Sequence, residues 1–176
     1  MIVATRISEL DAVDAFLLTP KSLDGPPPIW RIGTWGGEYT ATWNLLDDIG
    51  TPVAQIRCTA RQSNTSVTSM NLIYRGNPIW RVDIDEASVC HDNPHDAHFQ
   101  GLSPTICGPH EHAWPINREH LMSQDAWTLP YRRQVGVRRL SQALPLLADQ
   151  INLTLTPEQR NFDSPTRADL FDLSGQ

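Results

Sequence analysis

Two hydrophobic periods share the chain, and the points where one gives way to the other outline its plan. In residues 8–17, Leu10, Val13, Phe16 and Leu17 recur at helical spacing. Ser8 stands ahead of them as an N-cap, with Asp11 at the capping-box position. Gly25-Pro26-Pro27-Pro28 then stops regular structure. From Trp30 to Asp85 the period falls to two. Tyr39, Ala41, Trp43 and Leu45 alternate with polar residues, as do Ala54, Ile56, Cys58 and Ala60. Met70, Leu72 and Tyr74 repeat the pattern, and so do Trp80, Val82 and Ile84. Turn residues separate these runs, which predicts an antiparallel meander of four or five strands with one apolar and one polar face. Helical spacing returns at Val137, Leu140, Leu144, Leu147 and Ile151, predicting a C-terminal helix over the sheet that kinks or splits at Pro145. Thr156-Pro157-Glu158-Gln159 reads as a fresh helix start, with Thr as N-cap and Pro at N1. The expected class is therefore α+β, with one globular domain over residues 1–162 and a flexible tail over 163–176.

Residues 85–130 fit neither period, and so long an irregular stretch points to function. All six histidines lie there: His91, His95, His98, His110, His112 and His120. Cys90 and Cys107 lie there as well. So does the whole of the charge imbalance: Arg118 stands alone against Asp85, Glu86, Asp92, Asp96, Glu111, Glu119 and Asp125, in a chain of net charge −6. Imidazole, thiolate and carboxylate are the common ligands of divalent metals, and a negative segment attracts a cation. If 110–112 is extended, His110 and His112 project from one face. His91 or His95 can add a ligand, and Cys107-x2-His110 is a feasible local pair. The expected cofactor is a divalent metal, zinc above all. A catalytic site would hold His110, His112 and His91 or His95, with Glu119 or Asp92 as base beside His112; a structural site would close on both cysteines and two histidines.

Composition narrows the classes. With 176 residues and 40% apolar content the chain can bury a core unaided, and its acidity excludes a general nucleic-acid-coating role. No 18-residue apolar run or secretory leader is expected. Three cysteines are too few for a disulfide framework, so the expected compartment is the cytoplasm. All basic residues but Lys21 are arginine. Arg57, Arg61 and Arg81 fall on the polar sheet face with Gln55, Thr59 and Asn71, where planar guanidinium forks can grip a phosphate backbone. Arg132, Arg133, Arg138 and Arg139 cluster ahead of the C-terminal helix, where positive charge opposes the helix dipole; an anionic partner or buried acids nearby would relieve it.

Arg167-Ala168-Asp169-Leu170-Phe171 resembles the short peptide by which bacterial replication and repair proteins bind the sliding clamp. The resemblance implies a protein-docking role for Asp169, Leu170 and Phe171. Two functions follow as expectations. One is a small hydrolase that cleaves phosphodiesters of RNA or DNA with metal assistance. The other is a non-catalytic inhibitor or accessory factor that docks on a nucleoprotein or replication complex through the acidic histidine segment or the tail.

Overall fold

The computed structural model describes residues 2–34 and 36–166. Trp35 and the peptide carrying Asp169, Leu170 and Phe171 lie outside them. Helix α1 (Ile2–Leu18) opens the chain and is followed by the short strands β1 (Lys21–Leu23) and β2 (Arg31–Ile32). Four longer strands then form the predicted meander: β3 (Glu38–Leu46), β4 (Pro52–Arg61), β5 (Thr68–Tyr74) and β6 (Asn77–Ile84). The segment expected to be irregular folds into β7 (Cys90–Asp92), a 3-10 turn (His95–Gln100), β8 (Thr105–Cys107), β9 (His110–His112) and α2 (Trp114–Met122). Last come β10 (Arg133–Gln134), α3 (Leu140–Gln150), β11 (Leu153–Thr154) and α4 (Pro157–Arg160).

The fold is α+β, and its sheet is wider than the meander. Among the described residues nine strands join it, in the order β10-β9-β6-β5-β4-β3-β1-β11 with β2 also on β3; β7 and β8 pair separately. The added strands are two or three residues long, too short to show a period. No helix among the described residues is long and apolar enough to cross a membrane.

Alternation holds through the meander: Ala54, Ile56, Cys58 and Ala60 are buried while Gln55, Arg57 and Arg61 are exposed. Helix α3 covers the apolar face, burying Leu140, Ala143, Leu144, Leu147 and Ala148. Each such leucine contributes about 1.5–3 kcal/mol by leaving water. That burial outweighs the one backbone bond lost at Pro145, so α3 is a single helix rather than two. Ser8 is not a cap, because α1 begins six residues earlier; serine in a helix interior costs only a few tenths of a kcal/mol and does not force a start. The capping box at Thr156 is present, with Gln159 returning a bond to the Thr156 backbone. Buried Lys21 closes α1 by donating from Nζ to the Phe16 and Thr19 carbonyls, and burial lowers its pKa to about 8.

A two-residue turn with positive φ at both Arg75 and Gly76 joins β5 to β6. A register shift at Leu72/Ile73 then sets Asn71 opposite Arg81 and Ser69 opposite Asp83. Strand β9 continues the sheet, with His112 opposite Arg81 and His110 opposite Asp83. Two polar rows result. Arg57, Asn71, Arg81 and His112 form one, and Thr59, Ser69, Asp83 and His110 form the next. On β4 they begin at exposed Arg57 and half-buried Thr59, and they end buried at β9.

Candidate metal centre

At the buried end of these rows Asp83, His110 and His112 come together, at 5%, 1% and 6% exposure. Their placement follows from the extended backbone of β9: alternation turns both histidines to the polar face and Glu111 to the core. There the Glu111 carboxylate accepts from Trp80 Nε1 at 2.8 Å and Arg133 Nε at 2.6 Å. Glu111 is thus the buried acid that relieves part of the arginine cluster. On the histidine face each ring has one nitrogen committed. His110 Nδ1 donates to the Gly108 carbonyl at 2.9 Å, and His112 Nδ1 donates to the Leu129 carbonyl at 2.5 Å. A carbonyl can only accept, so both Nδ1 atoms are assigned a proton, and each Nε2 is left facing Asp83, with a proton to donate to it or a lone pair to give a metal.

Both Nε2 atoms lie 3.4 Å from the same oxygen, Asp83 Oδ2. Asp83 Oδ1 is taken by Arg81 Nε at 2.8 Å. Three electron-rich atoms therefore converge while the other polar atoms of these three side chains are engaged. Such an arrangement demands positive charge in its midst, either a proton or a metal cation. Burial alone would raise the Asp83 pKa, but hydrogen bonds from His110 and His112 and the Arg81 guanidinium hold it well below the usual carboxylate range. Burial would likewise lower the His110 pKa, and Asp83, the Gly108 carbonyl and Asp85 reverse this and raise it.

Gly108 has a structural reason to be glycine: its φ is +74°, and a Cβ would come within 3.3 Å of the Ala87 Cα. The tight turn it makes presents its carbonyl to His110. A second group, Asp85, His91 and His110, adjoins the first. Here His91 Nε2 is 2.9 Å from Asp85 Oδ2, but the His110 nitrogen that approaches Asp85, at 4.0 Å, is the Nδ1 already bound to Gly108. The first group thus has three free donor atoms and the second has two.

The remaining sequence candidates are placed as follows. Cys107 is bonded to Cys90 in a disulfide across β7 and β8, so it has no thiolate to offer a metal and the local pair with His110 is corrected. The pairing also removes the cysteine argument for a reducing compartment. His95 is exposed on the 3-10 turn, away from the convergent donors. Pro115 at the start of α2 ends the extended run, so Glu119 sits exposed on that helix, lining a separate groove of about 310 Å³ with Asp96, His120 and Tyr131. Asp92 accepts from Thr105 Oγ1 and is exposed. Neither acid stands with His110 and His112 as a base.

Arg81 belongs to the site and Arg61 stands near it. With Thr59, Ser69, Asp83 and Asp85 they line a groove of about 150 Å³. Arg57 is exposed farther along the polar face. Arg138 lines a larger cleft, about 610 Å³, that reaches this region through Asp85. Arg139 is exposed at the N-cap position of α3 and makes no side-chain cap. Sequence reasoning missed Asp83 as a site residue and counted Asp85 only among the acids of the histidine-rich segment. The available signal was alternation in β6, which puts Asp83 on the polar face beside whatever extended strand follows. No family model matches the chain, and neither a curated protein nor a solved structure does.

Proposed function

We propose that the chain is a metal-assisted hydrolase acting on phosphodiesters of RNA or DNA. Asp83, His110 and His112 are the metal ligands. The observation that carries this reading is the convergence of His110 Nε2, His112 Nε2 and Asp83 Oδ2 while their other polar atoms are fixed by carbonyls and Arg81. Two imidazoles and a carboxylate suit zinc, and three protein ligands leave a coordination position for water, the mark of a catalytic rather than a closed structural site. A bound divalent ion would supply an acidified water and charge neutralisation at the phosphoryl group.

The chain's own residues supply the rest. His91, 37% exposed and held by Asp85, takes the proton-handling role expected of Glu119 or Asp92. Arg57, Asn71 and Arg81 form a row leading to the site, suited to positioning a phosphate backbone without reading its sequence. The test is cleavage of labelled single-stranded RNA and DNA by purified chain with EDTA or added Zn²⁺. Metal-dependent cleavage, lost in folded Asp83→Asn and His112→Ala variants, supports the proposal; cleavage indifferent to EDTA or to these variants overturns it. The same donor set also holds iron(II) in oxygenases. Stoichiometric iron in the purified chain would therefore redirect the reading from hydrolysis to oxidation.

A further inference from the structure

Just ahead of strand β10 stands Arg132, a residue whose bonding is incomplete. Arg133 faces Glu111 and bonds it from the core side; Arg132 comes one residue earlier, next to the level of His112, and is near enough to Asp83 and Arg81 to feel both charges. The Arg132 backbone is held at both ends of its peptide unit: its N–H donates to Asn93 Oδ1 at 2.7 Å and its carbonyl accepts from Asn93 Nδ2 at 2.9 Å. Three residues earlier the same segment supplies the Leu129 carbonyl that orients His112. The guanidinium is committed on one side only. Nη1 donates to the Asp92 and Pro130 carbonyls at 2.8 and 3.2 Å, which are neutral acceptors. The Nε–H is buried and has no partner; among the described residues only Thr68 Oγ1 shares that condition. A buried, charged donor left unsatisfied is costly, and such a group calls for a missing acceptor. Burial lowers the Arg132 pKa, against the attraction of Asp83 and with repulsion from Arg81, in keeping with a place beside the candidate centre.

We propose that Arg132 is the oxyanion-binding residue of this centre, with its Nε–Nη2 edge receiving a phosphoryl oxygen pair side-on while Nη1 stays on the carbonyls. Arg81 cannot do this with its own Nε, which is spent on Asp83. The assignment rests on the phosphodiester reading above, and it names the residue that recognises the phosphoryl group. Arginine rather than lysine is required, because a planar fork offers two parallel donors and an ammonium offers a point charge.

The test is calorimetric titration of the full chain, zinc-loaded and metal-free, with inorganic phosphate, and zinc content measured in parallel. Arg132→Ala should keep its zinc and lose at least about tenfold in phosphate affinity, while Arg139→Ala should lose nothing. If Arg132→Ala does not fold, Arg132→Lys, which keeps the charge but lacks Nε, must show the loss. Phosphate affinity unchanged in a folded Arg132 variant overturns the assignment, as does wild-type chain that binds no phosphate. A chain without zinc that still binds phosphate through Arg132 would sink the metal reading and leave the anion site standing.

Discussion

The histidine-rich segment contains two histidine pairs of nearly equal spacing that differ in nearly everything else. The rings of His110 and His112 are 5.3 Å apart, and those of His95 and His98 are 5.8 Å apart. His110 and His112 are buried on a strand; His95 and His98 are exposed on a 3-10 turn. The His112 ring is held by a carbonyl 17 residues away, whereas His98 Nδ1 bonds the carbonyl of His95 within its own turn. The first pair shares a carboxylate, Asp83, contributed by another strand. Near the second pair, Asp96 is already engaged by the Tyr131 hydroxyl. Histidine density is common to both pairs. What sets the first apart is alternation, orientation of His112 by a remote carbonyl, and burial beside a carboxylate.

That contrast can be broken most forcefully at its strong end. Losing His112 in His112→Ala should weaken divalent-metal binding by more than the roughly 10–100-fold typical of losing only a residue that orients a ligand, as read by competition with a chromophoric chelator. Next in size, reduction of Cys90–Cys107, which spans 17 residues, should lower unfolding free energy by about 3 kcal/mol in urea titrations. Metal should be retained, because neither cysteine is a ligand. Glu111→Gln probes the opposite face of β9: weakening the bonds to Trp80 and Arg133 should cost about 1–3 kcal/mol in thermal unfolding and leave metal content unchanged. Acting on the same strand as the histidines, it separates stability from binding.

A smaller and more diagnostic effect is the pH profile. Asp83, held low, contributes stability that is present above the ordinary carboxylate range and is lost as pH falls through its lowered value. His110, held high, contributes stability that is complete below about pH 6.5 and is lost as pH rises through its raised value. Thermal melts of metal-free chain should therefore peak in mild acid. A divalent ion needs unprotonated His110, so its stabilising effect should grow with pH through the same window. Smallest of all, His95→Ala and His98→Ala should change stability by no more than about 0.5 kcal/mol and metal affinity not measurably.

Much of this was legible in the sequence where an element is long enough to show its period. The meander from Tyr39 to Ile84, the leucine face of α3 and the Thr156 capping box follow from residue spacing. So does the shared face of His110 and His112, given an extended backbone. What spacing could not supply was the neighbour. Asp83 lies 27 residues before His110 and meets it only because β9 pairs with β6, a choice made by side-chain packing rather than by any local pattern. The same holds for Cys90 and Cys107, which pair because β7 and β8 do. Glu119 seemed a natural base by proximity in sequence, yet three residues of helix beyond Pro115 carry it to another groove.

The central claim is that the buried trio, and not the histidine-rich segment at large, holds a divalent ion. Elemental mass spectrometry of the purified chain, of Asp83→Asn and of the His95→Ala/His98→Ala double variant tests it directly. Wild type and the double variant should each carry one divalent ion per chain, and a folded Asp83→Asn chain should lose it. Metal that survives in Asp83→Asn and disappears with His95 and His98, or a wild-type chain that takes up no divalent ion, would contradict it.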